Sequence, residues 1–177
     1  MTWETPQVWA DDQLIDFNDL NVDIGQNFIE LKDPPTAVYN ANESSDYQTT
    51  STTFTNVDPL DTEGKFKNTV ATNGGRVLIV FNGTVYTNAF DELYFDITVD
   101  GVSVTGAAGG MFLVSGAEGA DRMGASFAYW EPTVRVAGTY IYRLQWRVAP
   151  AGTIDMPAGS GAASMDIHPQ FWVREVS

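Results

Sequence analysis

The stretch ELYFDITVDGVSV, residues 92–104, decides the fold. Two β-rich runs flank Asp100-Gly101, and an Asp-Gly pair between such runs is the preferred sequence of a type I′ hairpin turn. The chain on either side repeats the theme. GRVLIVFNGTVY (75–86) begins with a nearly continuous apolar run, as in a strand covered on both faces. GTYIYRLQWRVA (138–149) puts Tyr140, Tyr142, Leu144, Trp146 and Val148 on one face. KFKNTVAT (65–72) does the same with Phe66 and Val70, and the Thr-rich QTTSTTFTNVD (48–58) reads as an exposed strand. GASFAYW (124–130) and the short TIDM (153–156) add two more. IHPQFWVREV (167–176) puts Phe171 and Val173 on one face and Trp172 and Arg174 on the other.

These segments make roughly seven to nine strands with no helical period among them, the pattern of a sandwich or jelly roll. The predicted class is all-β: a jelly-roll β-sandwich over residues 38–177, preceded by an N-terminal anchor segment, 1–37, that holds a short α-helix. The helix is read from DFNDLNVDIGQNFIEL (16–31), with Asp16 as N-cap and the DPP of residues 33–35 as the stop. Its apolar side follows a seven-residue rhythm. Phe17, Ile24 and Leu31 take one seam position, and Leu14, Asn21 and Phe28 take the other. An Asn on such a seam fixes register and copy number at some cost in stability. The segment is about two heptads long and Gly25 weakens it, so it needs something to lie against. Its own domain, a second copy and a larger partner all satisfy that need.

Composition narrows the function. Twenty-three acids against nine bases give a net charge of −14, which repels nucleic-acid backbones. The absence of cysteine excludes disulfides and thiolate chemistry. No apolar run approaches the roughly 20 residues of a membrane span, and MTWETPQVWADD lacks the basic and apolar regions of a signal peptide. His168 is the one histidine, no G-x-S-x-G is present, and Pro169 favours extended backbone at that histidine, so it reads as the entry to the last strand. Asp91, Glu92 and Asp96, and likewise Asp58, Asp61 and Glu63, are acidic groups that could hold a calcium ion, although neither has calcium-loop spacing. They read as solvated loop charges. Trp130, Trp146 and Trp172 could line a sugar platform, although aromatic residues in strands are more often core. GAAGGM lacks the Lys and Ser/Thr of a phosphate loop, and the Asn82-Gly-Thr84 sequon has no secretory context. No catalytic residue, cofactor or metal is expected, and the chain does not read as an enzyme.

TPQVWADDQLIDFNDLNVDIGQNFIELKDPP resembles the opening of many small bacteriophage and prophage structural proteins. Thr5, Pro6 and Trp9 match the start, Leu20 and Asn21 the central pair, and Asn27, Leu31, Lys32, Pro34 and Pro35 the end. Gly25 and Gln26 replace the family's Arg-Asp pair, and Phe28 replaces its Leu. The remainder resembles trimeric jelly rolls of the tumour-necrosis-factor and complement type, through GGRVLIVFNGTVY, YFDITVDGVSV, GTYIYRLQWRV and HPQFWVREV. The resemblance implies a virion protein. It would be a homotrimeric capsid decoration, head fibre or tail fibre, fixed to other virion proteins through its N-terminal segment. The alternative is a receptor- or carbohydrate-binding module of a tail fibre, with a host surface glycan as partner. No nucleic acid or membrane is expected. The implied oligomer or anchor interface comprises Trp3, Trp9, Leu14, Phe17, Asn21, Ile24, Phe28, Leu31, Tyr142, Trp146, Phe171 and Trp172.

Overall fold

The computed structural model describes residues 35–40, 46–61, 64–87, 91–115, 121–150, 152–159 and 167–176. The predicted helix and all anchor residues from Trp3 to Leu31 lie outside them. The described chain is all-β, in two antiparallel sheets laid face to face. Its strands are β1 (Thr36–Asn40), β2 (Tyr47–Thr49), β3 (Thr55–Asn56), β4 (Lys67–Thr72), β5 (Arg76–Thr87) and β6 (Glu92–Val99). They continue with β7 (Val102–Ser103), β8 (Phe112–Ser115), β9 (Asp121–Trp130), β10 (Gly138–Ala149), β11 (Ile154–Met156) and β12 (Gln170–Val176). The Thr-rich stretch expected as one strand is instead split into β2 and β3, on different sheets.

In the first sheet β12 lies between β1 and β5, and β9 runs along the other side of β5. The short β11 joins the end of β5 and carries β2. In the second sheet β10 lies between β6 and the pair β4 and β3, while β7 and β8 extend β6. The hairpin forms as its Asp-Gly predicts. Val99 faces Val102, and Asp100 and Gly101 both adopt positive φ, at 50° and 84°. A type I′ turn, with both central residues left-handed, matches the twist of the strands it joins.

Alternation then builds the core. Val77, Ile79, Phe81 and Val85 of β5 face Leu93, Phe95, Ile97 and Val99 of β6 and Tyr142, Leu144, Trp146 and Val148 of β10, all buried. Phe81 and Phe95 meet across the gap with ring centroids 5.1 Å apart, and Phe66 meets Tyr39 edge-on at 4.6 Å. Such aromatic pairs add about 0.5–1.5 kcal/mol beyond the area they bury.

A buried carboxylate ties one end of the sandwich. Glu175 of β12 accepts the backbone N–H of Asn73 at 2.8 and 2.9 Å and that of Gly75 at 2.5 Å, holding the β4–β5 turn. The carboxylate lies so close to Gly75 that a Cβ there would come within 2.8 Å of it, so a side chain at that position would displace the carboxylate from the amides. Glu175→Ala leaves these amides without their acceptor inside the fold. The expected loss is about 3 kcal/mol, read as a lowered urea midpoint with unchanged slope.

Candidate assembly face

The two sheets differ in what they show to the outside. On the second sheet many outward residues are polar and engaged with one another, beside the apolar Leu113 and Ile141. Arg143 donates to both oxygens of Asp61, at 2.6 and 2.9 Å. Gln145 donates to Asn56 at 2.9 Å, and the Arg147 guanidinium lies 3.9 Å from the centre of the Tyr94 ring. Asp96 accepts from Ser103 at 2.6 Å and Thr105 at 3.3 Å.

The first sheet breaks this pattern. The inward set on β12 and β5 is odd-numbered, so the even residues point out. Register places Val38, Trp172, Val80 and Ala128 in one row across β1, β12, β5 and β9. Thr36, Arg174, Leu78 and Trp130 form the next row. Val38 is 54% exposed and Trp130 51%, Ala128 is exposed, and Trp172, Val80 and Leu78 are half-buried. An antiparallel sheet normally alternates apolar-in with polar-out. Here the outer face of β5 is apolar at Leu78 and Val80 as well, beside Trp172 of β12 and Ala128 and Trp130 of β9.

This corrects part of the expected interface. Tyr142, Trp146 and Phe171 are buried inside the sandwich, where they face the opposite sheet and have no surface left for a second copy. Trp172 alone among the described members of that set reaches the outer face. Sequence reading missed Val38, Leu78, Val80, Ala128 and Trp130. The apolar run of β5 was their one visible signal.

The other expectations resolve as follows. Trp146 is core while Trp130 and Trp172 lie on the outer face, so the three form no common sugar platform. His168 is exposed ahead of β12. Asn82 is exposed on the outer face, where its side-chain oxygen accepts from Ser126. Asp91, Asp96 and Asp58 are buried, so they are not the solvated loop charges expected; Asp58 caps its own turn through the N–H of Leu60 at 3.0 Å. Glu63 lies outside the described residues. No group of three or more metal-ligating side chains converges among the described residues.

One further acid, Glu131, is buried beside Tyr142 and Arg135. Its carboxylate accepts from the Tyr142 hydroxyl at 3.0 Å and from the Arg135 guanidinium. Burial, and then the Glu131 charge, push the Tyr142 phenol well above its ordinary value. That phenol has no exposed surface, and the trio joins the 131–137 loop to the core.

No protein-family model matches the chain, and no curated protein matches it. Among solved structures it is similar to dimeric latent PorU from Porphyromonas gingivalis, at 9% identity and a TM-score of 0.35, over 99% of this chain and 14% of that one. It is also similar to the T=1 particles derived from infectious bursal virus, at 11% identity and a TM-score of 0.38, over 82% of this chain and 37% of that one. A third similarity is to the VP2 subviral particle of infectious bursal disease virus, at 13% identity and a TM-score of 0.33, over 80% and 37%. The chain thus spans well under half the length of each.

The Asp61 ion pair gives a pH test. The hydrogen bond from Arg143, then its charge and that of Lys67, hold the Asp61 carboxyl below its ordinary 3.8. A depressed pKa stabilises the fold above the unfolded value, and the contribution is lost as pH falls through the folded one. Asp61 sits at φ 52°, which Asn tolerates, so Asp61→Asn removes charge without backbone strain. The pair is partly exposed, and the variant is expected to lose about 1 kcal/mol at pH 7 in urea unfolding, the gap closing as pH drops below about 4.

Proposed function

We propose that the protein is a virion structural protein: a homotrimeric jelly-roll module, fixed to the particle through its N-terminal segment and displaying the sandwich outward. The observation that carries this reading is the apolar outer face of β1, β12, β5 and β9. A face with Val38, Trp172, Val80, Ala128 and Trp130 in neighbouring ladder positions is built to be covered. Assembly of copies with one another and with capsid or tail proteins would cover it. The strand order supports the jelly-roll class, since β1-β12-β5-β9 faces β4-β10-β6-β8 and the chain crosses repeatedly between the sheets. The reading assigns no reaction, cofactor, metal, nucleic acid or membrane to the chain. Light scattering on the purified chain at micromolar concentration is expected to give three times the 19.3 kDa chain mass. A stable monomer overturns the trimer.

A second reading, a glycan-binding tail module, is favoured by a groove of about 480 Å³ between β2, β3 and β10. Gln48, Thr49, Thr55, Asn56 and Gln145 line it with uncharged donors and acceptors, the groups that pair with sugar hydroxyls. A glycan array should then give hits that Gln145→Ala abolishes, and an array with no hits overturns this reading.

A further inference from the structure

The first sheet has a long edge as well as an open face. β9 pairs with β5 and with no other described strand. In an antiparallel edge strand every second residue turns its N–H and C=O away from its one neighbour. Among the described residues, no strand, loop or side chain hydrogen-bonds to that side of the backbone from Met123 to Trp130. Edge strands are commonly kept from pairing by brevity, a proline, a lysine or a bulge. β1, at the opposite edge, is five residues long and follows Pro35. β9 has ten residues, no proline and no lysine. Its register with β5 runs unbroken from Leu78 opposite Trp130 to Thr87 opposite Asp121, so it has no bulge either.

The sequence of β9 complements itself. Residues directly opposite in an antiparallel pair lie on the same face, so odd meets odd and even meets even. Let a second copy meet β9 across a two-fold axis at Ser126. Arg122 then lies opposite Trp130 of the second copy, Gly124 opposite Ala128, Met123 opposite Tyr129 and Ala125 opposite Phe127. Arg122, Gly124, Ser126, Ala128 and Trp130 are all exposed, and Trp130 has Leu78 beside it on one side only. The pairing therefore sets a guanidinium against each open indole, a favourable cation–π partner. On the other face it sets a thioether against a tyrosine ring. Moving the axis to Ala125 or Phe127 loses the Arg–Trp opposition at both ends.

We propose that the free edge of β9 is a two-fold contact with a second copy of this chain, the two strands running antiparallel about Ser126. The contact joins β1-β12-β5-β9 to its copy in one continuous sheet of eight strands. It goes beyond the assembly reading above, which covers the face of the sheet and not its edge. It does not rest on the trimer, because a two-fold edge joins two monomers or two trimers alike. A strand edge covers less surface than a sheet face, so the contact forms in concentrated protein.

The absence of cysteine makes thiol crosslinking unambiguous. Across the axis the two Cα atoms of residue 126 stand about 4.5–5.5 Å apart, within disulfide reach. Those of residue 124 are offset by about 13 Å along the strand, beyond it. In the concentrated full chain under mild copper-catalysed oxidation, Ser126→Cys should give a two-chain band on a non-reducing gel. It should do so at least about tenfold faster than Gly124→Cys. Gly124 has open space where a side chain would stand, so that control is free of clash. Gly124→Cys mixed with Ala128→Cys should crosslink fast, since each lies opposite the other; this pair is also the reporter if Ser126→Cys does not fold. Trp130→Lys sets like charges opposite one another at both ends and should return Ser126→Cys to the control rate. Equal rates for Ser126→Cys and Gly124→Cys overturn the proposal, and so does fast crosslinking that Trp130→Lys leaves unchanged. The two readings fail separately. A trimer by light scattering without the register-specific crosslink removes the edge contact alone. A chain that scatters as a monomer at micromolar concentration and crosslinks in register when concentrated removes the trimer alone.

Discussion

Phe81 against Phe95 is the contact on which the rest of the molecule depends. The rings meet 5.1 Å apart between β5 and β6 and so join one sheet to the other. A strand has two faces and a period of two, so fixing Phe81 inward fixes every other residue of β5. Val77, Ile79 and Val85 follow it into the core, while Leu78 and Val80 are turned out. Pairing carries the same parity to β12 and β9, and through β12 to β1. The core and the open apolar face are therefore consequences of one choice. A one-residue slip would expose Phe81 and close the outer row, exchanging the two.

That parity also explains what was legible in the sequence. Class, the Asp100-Gly101 hairpin, the face of β10 and the alternation of the last strand all follow from local spacing, and the structure has each of them. Alternation says which residues share a face but not what that face meets. Tyr142, Trp146 and Phe171 were placed at an interface by resemblance, and they meet the partner sheet of their own chain instead. The β5 run read correctly as apolar on both sides, yet only its inner side meets the other sheet. The buried acids were illegible for a different reason. Glu175 serves backbone amides about a hundred residues earlier, and Glu131 serves a tyrosine on the next strand. No short-range pattern records such partners.

Electrostatics gives the two outer surfaces different characters. On the second sheet, charges are matched locally: Asp61 with Arg143 and Lys67, Asp96 with two hydroxyls, Arg147 with an aromatic ring. Matched groups of this kind are at rest in water and call for no partner. On the first sheet Arg76 and Arg174 stand beside apolar side chains, and neither forms an ion pair with a described residue. The contrast lies within one small domain under one strongly negative net charge, so it is a property of the surface and not of the composition.

The placement of β12 has a consequence for how the protein is made. It is the last strand along the described chain, yet it lies between β1 and β5, which do not pair with each other. On a ribosome the first sheet therefore stays split after both its flanking strands have emerged. The more than eighty residues from the end of β5 to the start of β12 take on the order of 4–17 s at usual elongation rates. Throughout that interval the edge of β5 that pairs with β12 stays open, a condition in which nascent chains associate wrongly. Products cut short before residue 170 lack the strand that bridges β1 to β5.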